Sequence, residues 1–219
     1  MDLKVIKSTP LGDWIRQLLR KSELVHSSGN GSKNVLTELL VEGFQNVKDL
    51  RLAVCDSSTH SLMTLLWALS SLSYKMCFYE LPEFQNFWPR VNNSISDSSP
   101  LFDEKVSCPI LEELCISRAD SISALFSQQL PTGFFNKLKE LEVWKCEKLR
   151  NLMSPSVARG VLNLRILKIG ASPSMEQVIT EEEQQGEEMT NEPLFSRLEE
   201  LVLYEPPKLR HFFLDEPCF

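Results

Sequence analysis

Three histidines, six cysteines and thirty acidic residues are the chemically capable side chains of this 219-residue chain, and their spacing assembles no reaction centre. His26, His60 and His211 are far apart in sequence, with no recognisable nucleophile motif around any of them. Gly-x-Ser-x-Gly, His-Glu-x-x-His and the dinucleotide-binding glycine pattern are all absent. Cys55, Cys77, Cys108, Cys115, Cys146 and Cys218 include no C-x-x-C pair and no Cys/His cluster at zinc spacing. The glycine-containing stretch from His26 to Lys33 has Ser32 before Lys33, whereas a phosphate loop closes on Gly-Lys-Ser/Thr. It reads as a surface turn. No catalytic residue, cofactor or metal ligand is expected, and the chain reads as non-enzymatic.

Charge narrows the function further. The net charge of −7 is local, because residues 170–194 hold seven glutamates and no Lys or Arg, leaving 23 acids against 23 bases elsewhere. A balanced body does not point to nucleic acid. The N-terminal MDLKVIKSTPLGDWIRQLL has no apolar signal core, and Leu62 to Leu72 is about half the ~20 residues of a membrane helix. No membrane association is expected, and the cysteines read as reduced thiols of a cytoplasmic protein.

The elements that would position any binding residues are visible in the apolar spacing. In FNKLKELEVWKCEKLRNL, Phe135 is followed by Leu138, Leu141, Val143, Cys146, Leu149 and Leu152. Steps of three flank one step of two, which matches neither a helix nor a strand throughout. Only Leu141-Glu142-Val143 alternates as a short strand. The same offsets run from Cys108 through Leu111, Leu114, Ile116, Ala119, Ile122 and Leu125. They recur from Val161 (Leu164, Leu167, Ile169, Ser172, Met175, Val178) and from Phe195 (Leu198, Leu201, Leu203, Pro206, Leu209, Phe212). A match that fades starts at Phe44, and a weak earlier unit would hold Leu18 and Leu24, spoiled by Lys21 and His26.

This is the leucine-rich-repeat grammar, with Cys146 in the N/C position. The fold class is therefore α/β. A curved solenoid is expected, with short parallel strands on the concave face and irregular or short helical segments on the convex face. Strands are expected at 49–54, 113–117, 140–144, 166–170 and 200–204. The chain reads as one domain, 1–219. Within it, 1–43 is a degenerate unit and 44–107 a repeat plus a degenerate unit and loop. Four regular repeats fill 108–219, with a solvated acidic insertion at about 179–194. A helix on the outer side is expected over 62–72.

The string GFFNKLKELEVWKCEKLRNLMSPSVARGVLNLRILKI, followed by SMEQVI and an acidic run, resembles the leucine-rich-repeat region of plant intracellular nucleotide-binding disease-resistance receptors of the coiled-coil class. NVLTELLVEGFQNVKDLRL is similar to another unit of that region. The resemblance implies a recognition module that senses a pathogen effector or a guarded host protein and restrains a nucleotide-binding switch. This chain shows no phosphate loop and nothing like the switch segments, so it looks like a fragment or truncated product, and nucleotide binding does not carry over. The other reading is the substrate-binding repeat domain of a ubiquitin-ligase adaptor. That reading expects an F-box-like segment before the repeats, and residues 1–35 show none convincingly.

A partner would meet the residues that alternate with the core leucines. One such column is Arg51, Cys115, Glu142, Lys168 and Val202, and a second is Ala53, Ser117, Trp144, Gly170 and Tyr204. Arg51, Glu140, Glu142, Trp144, Lys168, Glu200, Val202 and Tyr204 are the candidate partner-binding residues. Trp144 and Tyr204 serve as aromatic anchors, and Arg51, Glu142 and Lys168 supply charge selectivity. Trp144 has an equal alternative as a shielded ring touching a neighbouring repeat.

Overall fold

The architecture follows from the steps in the spacing. In the computed structural model, the first step of three is a turn, with the Leu138 N–H donating to the Phe135 carbonyl at 3.0 Å. The same bond joins Leu111 to Cys108, Leu164 to Val161 and Leu198 to Phe195. The step of two lies in a five-residue strand, and the second step of three beyond it is again a turn, as between Met175 and Ser172 at 3.1 Å. Each unit thus turns, runs straight for five residues and turns away. The structure describes residues 13–28, 46–53, 74–80, 100–102, 108–128, 130, 133–180 and 194–205. The start of the Phe44 unit, the 62–72 helix, the acidic residues 181–193, Pro206 onward, Cys55 and Cys218 lie outside them.

Seven strands form one parallel sheet: β1 (Leu24–Ser28), β2 (Asp49–Ala53), β3 (Lys75–Tyr79), β5 (Glu113–Ser117), β7 (Glu140–Trp144), β9 (Ile166–Gly170) and β11 (Glu200–Tyr204). They pair in that order, parallel and without a register shift. All five expected strands are present, the first ending at Ala53. A second parallel sheet on the convex side was not expected. It is built from β4 (Pro100–Phe102), β6 (Ala124–Phe126), β8 (Asn151–Met153) and β10 (Gln177–Ile179). Short helical structure is also present there as α2 (Pro155–Gly160). Ser154 caps it, accepting from the Val157 N–H at 3.2 Å and donating to the Gln128 carbonyl at 2.5 Å. The helix α1 (Asp13–Lys21) precedes β1.

The core lies between the two sheets. Leu111, Leu114, Ile116, Leu138, Leu141, Val143, Leu164, Leu167 and Ile169 are fully buried, and Phe102, Phe126 and Phe135 pack ring to ring at centroid distances of 5.1–5.6 Å. The N/C position also points inward. Cys146 is buried, its N–H donating to the Ser172 hydroxyl at 3.2 Å, and Ser172 in turn donates to the Gly170 carbonyl. A small polar or sulfur side chain there satisfies backbone groups that the turn leaves unpaired.

The first unit corrects the expected register. Val25, not Leu24, occupies the core column beside Leu50, and Leu24 pairs with Asp49 in an outward column. A shift of one residue exchanges the two faces of a strand. It also removes the apparent conflict, since Lys21 is exposed and His26 stands in an outward column. At the other end, Leu201 and Leu203 were expected inside yet are 42% and 37% exposed, because β11 has a described strand on one side only.

Leu141 sits mid-sheet with core on every side, so Leu141→Ala should cost about 2–5 kcal/mol of unfolding free energy. Leu201→Ala at the open end should cost well under half of that. Denaturant titration of the two variants checks the difference, and equal losses would contradict this placement of the core.

Candidate functional site

Alternation in five-residue strands places the first, third and fifth residue of each on the outward side of the seven-stranded sheet. In-register pairing stacks them into three columns. The first reads Leu24, Asp49, Lys75, Glu113, Glu140, Ile166, Glu200, and the middle His26, Arg51, Cys77, Cys115, Glu142, Lys168, Val202. The last reads Ser28, Ala53, Tyr79, Ser117, Trp144, Gly170, Tyr204. All eight residues expected to face a partner fall in these columns. Lys75, Cys77, Tyr79, Asp49 and Glu113 join them, and the sequence reading did not single these out as site residues.

The charges of the columns are largely spent on one another. Lys168 reaches Glu140 at 2.5 Å and Glu142 at 2.8 Å, bridging two strands. Lys75 pairs with Glu113, and Arg51 grips Asp49 of its own strand at 2.9 Å. Burial works to raise the Glu142 carboxyl, but the hydrogen bond and charge of Lys168 hold it below its ordinary value. The hydrogen bonds that Lys168 donates to Glu140 and then to Glu142 raise its own value. Just before the strands a further line carries three ion pairs, Glu23–Lys48, Glu112–Lys139 and Arg165–Glu199, joined across neighbouring units at 2.7–3.0 Å.

Trp144 does not stand free. Its half-buried ring sits against Gly170 in the next unit and reaches Tyr204 in the one after, with centroids 6.1 Å apart and planes tilted by 53°. A Cβ on Gly170 would stand 2.1 Å from Trp144 Cζ3, so only glycine admits the ring there. Of the two expected anchors, Trp144 is the one that also packs, and Tyr204 is 58% exposed. Val202 flanks Lys168 across the strand pair, and Glu200 is exposed at the start of β11.

Among the described residues, β3, β5, β7, β9 and β11 are each followed by a residue of left-handed backbone: Glu80, Arg118, Lys145, Ala171 and Glu205, with φ between 45° and 54°. None is glycine, and each such residue costs about 1–2 kcal/mol relative to ordinary backbone. Hydrogen bonding repays it. The N–H groups of Glu80, Arg118, Lys145 and Ala171 donate to the last strand residue of the next unit at 2.9–3.0 Å. The turn therefore ends the strand and ties the units together at once.

Among the described residues no group of three His, Cys, Asp or Glu is placed to hold a metal ion, and no helix is long and apolar enough to cross a membrane. Stacked strand-and-turn units with one leucine column per strand define a leucine-rich-repeat protein. Residues 110–218, just under half of the chain, match the family model described as plant disease resistance protein RPS2-like, leucine-rich repeats. No curated protein and no solved structure matches the chain.

Two outcomes test this geometry. Gly170→Ala should cost about 1 kcal/mol or more by driving the Trp144 ring off the sheet. In a Trp144→Ala background the same change should be neutral or stabilising, since alanine then only gains over glycine in a strand. A double-mutant cycle read by denaturant titration checks this, and equal costs in both backgrounds would contradict the stacking. The second outcome concerns acid. Glu142 has a folded value below its unfolded one of about 4.3. Its contribution is thus complete above that value and lost as pH falls through the folded one. Lys168→Met should accordingly lower the melting temperature at neutral pH and converge with the parent protein at the acid end. A gap that is constant with pH would show that the pair contributes nothing through charge.

Proposed function

We propose that the outward face of the seven-stranded sheet binds a protein, either a pathogen effector or a guarded host protein. In a full-length receptor this binding restrains, and on recognition releases, a nucleotide-binding switch. The reading makes the chain a non-enzymatic, cytoplasmic recognition module in plant defence, folded as one repeat domain over 1–219. One observation carries it. Trp144 and Tyr204 form an aromatic platform at the end of the last column, beside the Lys168–Glu140–Glu142 cluster. Exposed aromatics that are already immobilised lose little freedom on binding, which is why such rings dominate protein interfaces. The match of residues 110–218 to the disease-resistance repeat model supports the biological setting. Four buried, unpaired thiols, Cys77, Cys108, Cys115 and Cys146, suit a reducing compartment.

The neutralised charges give the face a division of labour. A partner must displace or match existing ion pairs, so the groove charges select rather than attract. The aromatic platform supplies the affinity.

Tyr204→Ala should leave folding nearly unchanged, within about 0.5–1 kcal/mol. It should weaken a partner recovered from plant extract by roughly thirtyfold, the equivalent of ~2 kcal/mol at a hot spot. Glu176→Ala, exposed on the opposite side beside β10, is the control and should bind as the parent does. Affinity measured on the three proteins checks the face. Loss in the control with none in Tyr204→Ala would move the partner to the convex side.

A further inference from the structure

Cys77 and Cys115 occupy directly paired positions of β3 and β5, in the middle outward column. Both are free thiols on adjacent strands at the same register, and Tyr79 stands two residues beyond Cys77 in the same strand. The other described cysteines differ in kind. Cys108 and Cys146 lie in the core, and burial pushes their thiols up to about 12 and about 11. In the outward pair the neighbouring Cys115 draws the Cys77 thiol down to about 7, against burial and with help from Tyr79 and Lys75. Cys77 in turn, together with burial, raises Cys115. Asp49 opposes this from the neighbouring strand, and Glu142 raises Cys115 from the other side.

Paired strands run about 4.8 Å apart, inside the ~4.4–6.8 Å between Cα atoms that a disulfide spans. We propose that Cys77 and Cys115 form a reversible dithiol–disulfide couple in the floor of the groove, closed by a peroxide. The Cys77 thiolate attacks one peroxide oxygen, the O–O bond breaks, and hydroxide leaves and takes a proton to become water. Cys77 is then a sulfenic acid, oxidised by two electrons. The Cys115 sulfur attacks the Cys77 sulfur, the S–O bond breaks, and the departing hydroxide takes the Cys115 proton as a second water. One peroxide is reduced to two waters, and two thiols become one disulfide.

Access and reversal both follow from the sheet. Cys115 is 9% exposed and Cys77 2%, an opening that suits a small peroxide and excludes the thiol of another folded protein. A sulfenic acid formed there meets Cys115 first. Parallel side chains in paired positions keep their Cβ atoms near the strand spacing, wider than the ~3.8 Å of a relaxed disulfide. The bond therefore draws β3 and β5 together, is strained, and reopens readily by exchange with a low-mass thiol. This couple is independent of whether the groove binds a partner.

The test is peptide mass spectrometry of the 219-residue chain treated with hydrogen peroxide at neutral pH and digested without reductant. A peptide linking Cys77 to Cys115 should appear as the dominant linked species, lighter by two hydrogens than its parts. Dithiothreitol should abolish it, and prior unfolding in urea should remove its preference over other pairings. Cys115→Ser, unable to close the bond, should instead accumulate a dimedone adduct at Cys77. Links made chiefly to Cys55 or Cys218, no link at all, or the same preference in urea would each overturn the proposal. If the serine variant does not fold, the parent chain's linkage pattern decides alone.

Discussion

Every unit of this chain obtains its backbone partners from the units beside it, and the parallel ladder is in register from β1 to β11. A lone five-residue strand with turns at both ends cannot bury a face or satisfy its own N–H and C=O groups. The requirement to stack without slippage fixes what else a unit can hold. The second strand residue must be apolar, and from β2 onward the fourth is as well, because they meet the same columns in both neighbours. The residue after the strand must turn through left-handed backbone whether or not it is glycine, since its N–H is needed by the next unit. Five non-glycine residues accept that conformation, and the ladder is what holds them there.

The same register makes the outward face cooperative in a local sense. A large side chain in one unit is admissible only where its neighbour is small, as with Trp144 over Gly170. A charge is tolerated close to the sheet only where the adjacent unit supplies its opposite, as Glu140 and Glu142 do for Lys168. These ion pairs are partly solvated, and each contributes little to stability. Their larger effect is on the groove, where they set which incoming charge finds a partner without leaving another unpaired.

The strands of the regular units were legible because leucine, isoleucine and valine occupy the columns where a repeat needs them. Cys146 was legible for the same reason, as the N/C position accepts a small inward side chain. β3 was not recognised because Met76 and Phe78 take the leucine places. A signal was available in the steps of three that follow, Phe78, Leu81, Phe84 and Phe87. In β1, the search for leucine selected Leu24 when valine was the buried residue. Convex strands three residues long carry no period that distinguishes them from a turn. The partners of the outward residues were illegible for a different reason. Alternation identifies a column, but whether Lys168 reaches Glu142 or solvent depends on the rotamer of a long side chain, and the neighbour of Cys115 comes from a unit whose pattern is weak.

That dependence places the chemically unusual residues where the repeat is least regular. A leucine in a core column is interchangeable between units, so regularity there costs nothing in specificity. An outward position has no such constraint, and a cysteine can stand beside a cysteine, as Cys77 does beside Cys115. Adjacent units superpose their sequences position by position. Two thiols separated by 38 residues in the chain thereby become nearest neighbours without any local motif. Spacing rules built for contiguous loops, such as C-x-x-C, are blind to this arrangement. In a solenoid the relevant spacing is the length of the intervening unit, and a pair of reactive groups is found by aligning units first and reading down the columns afterward.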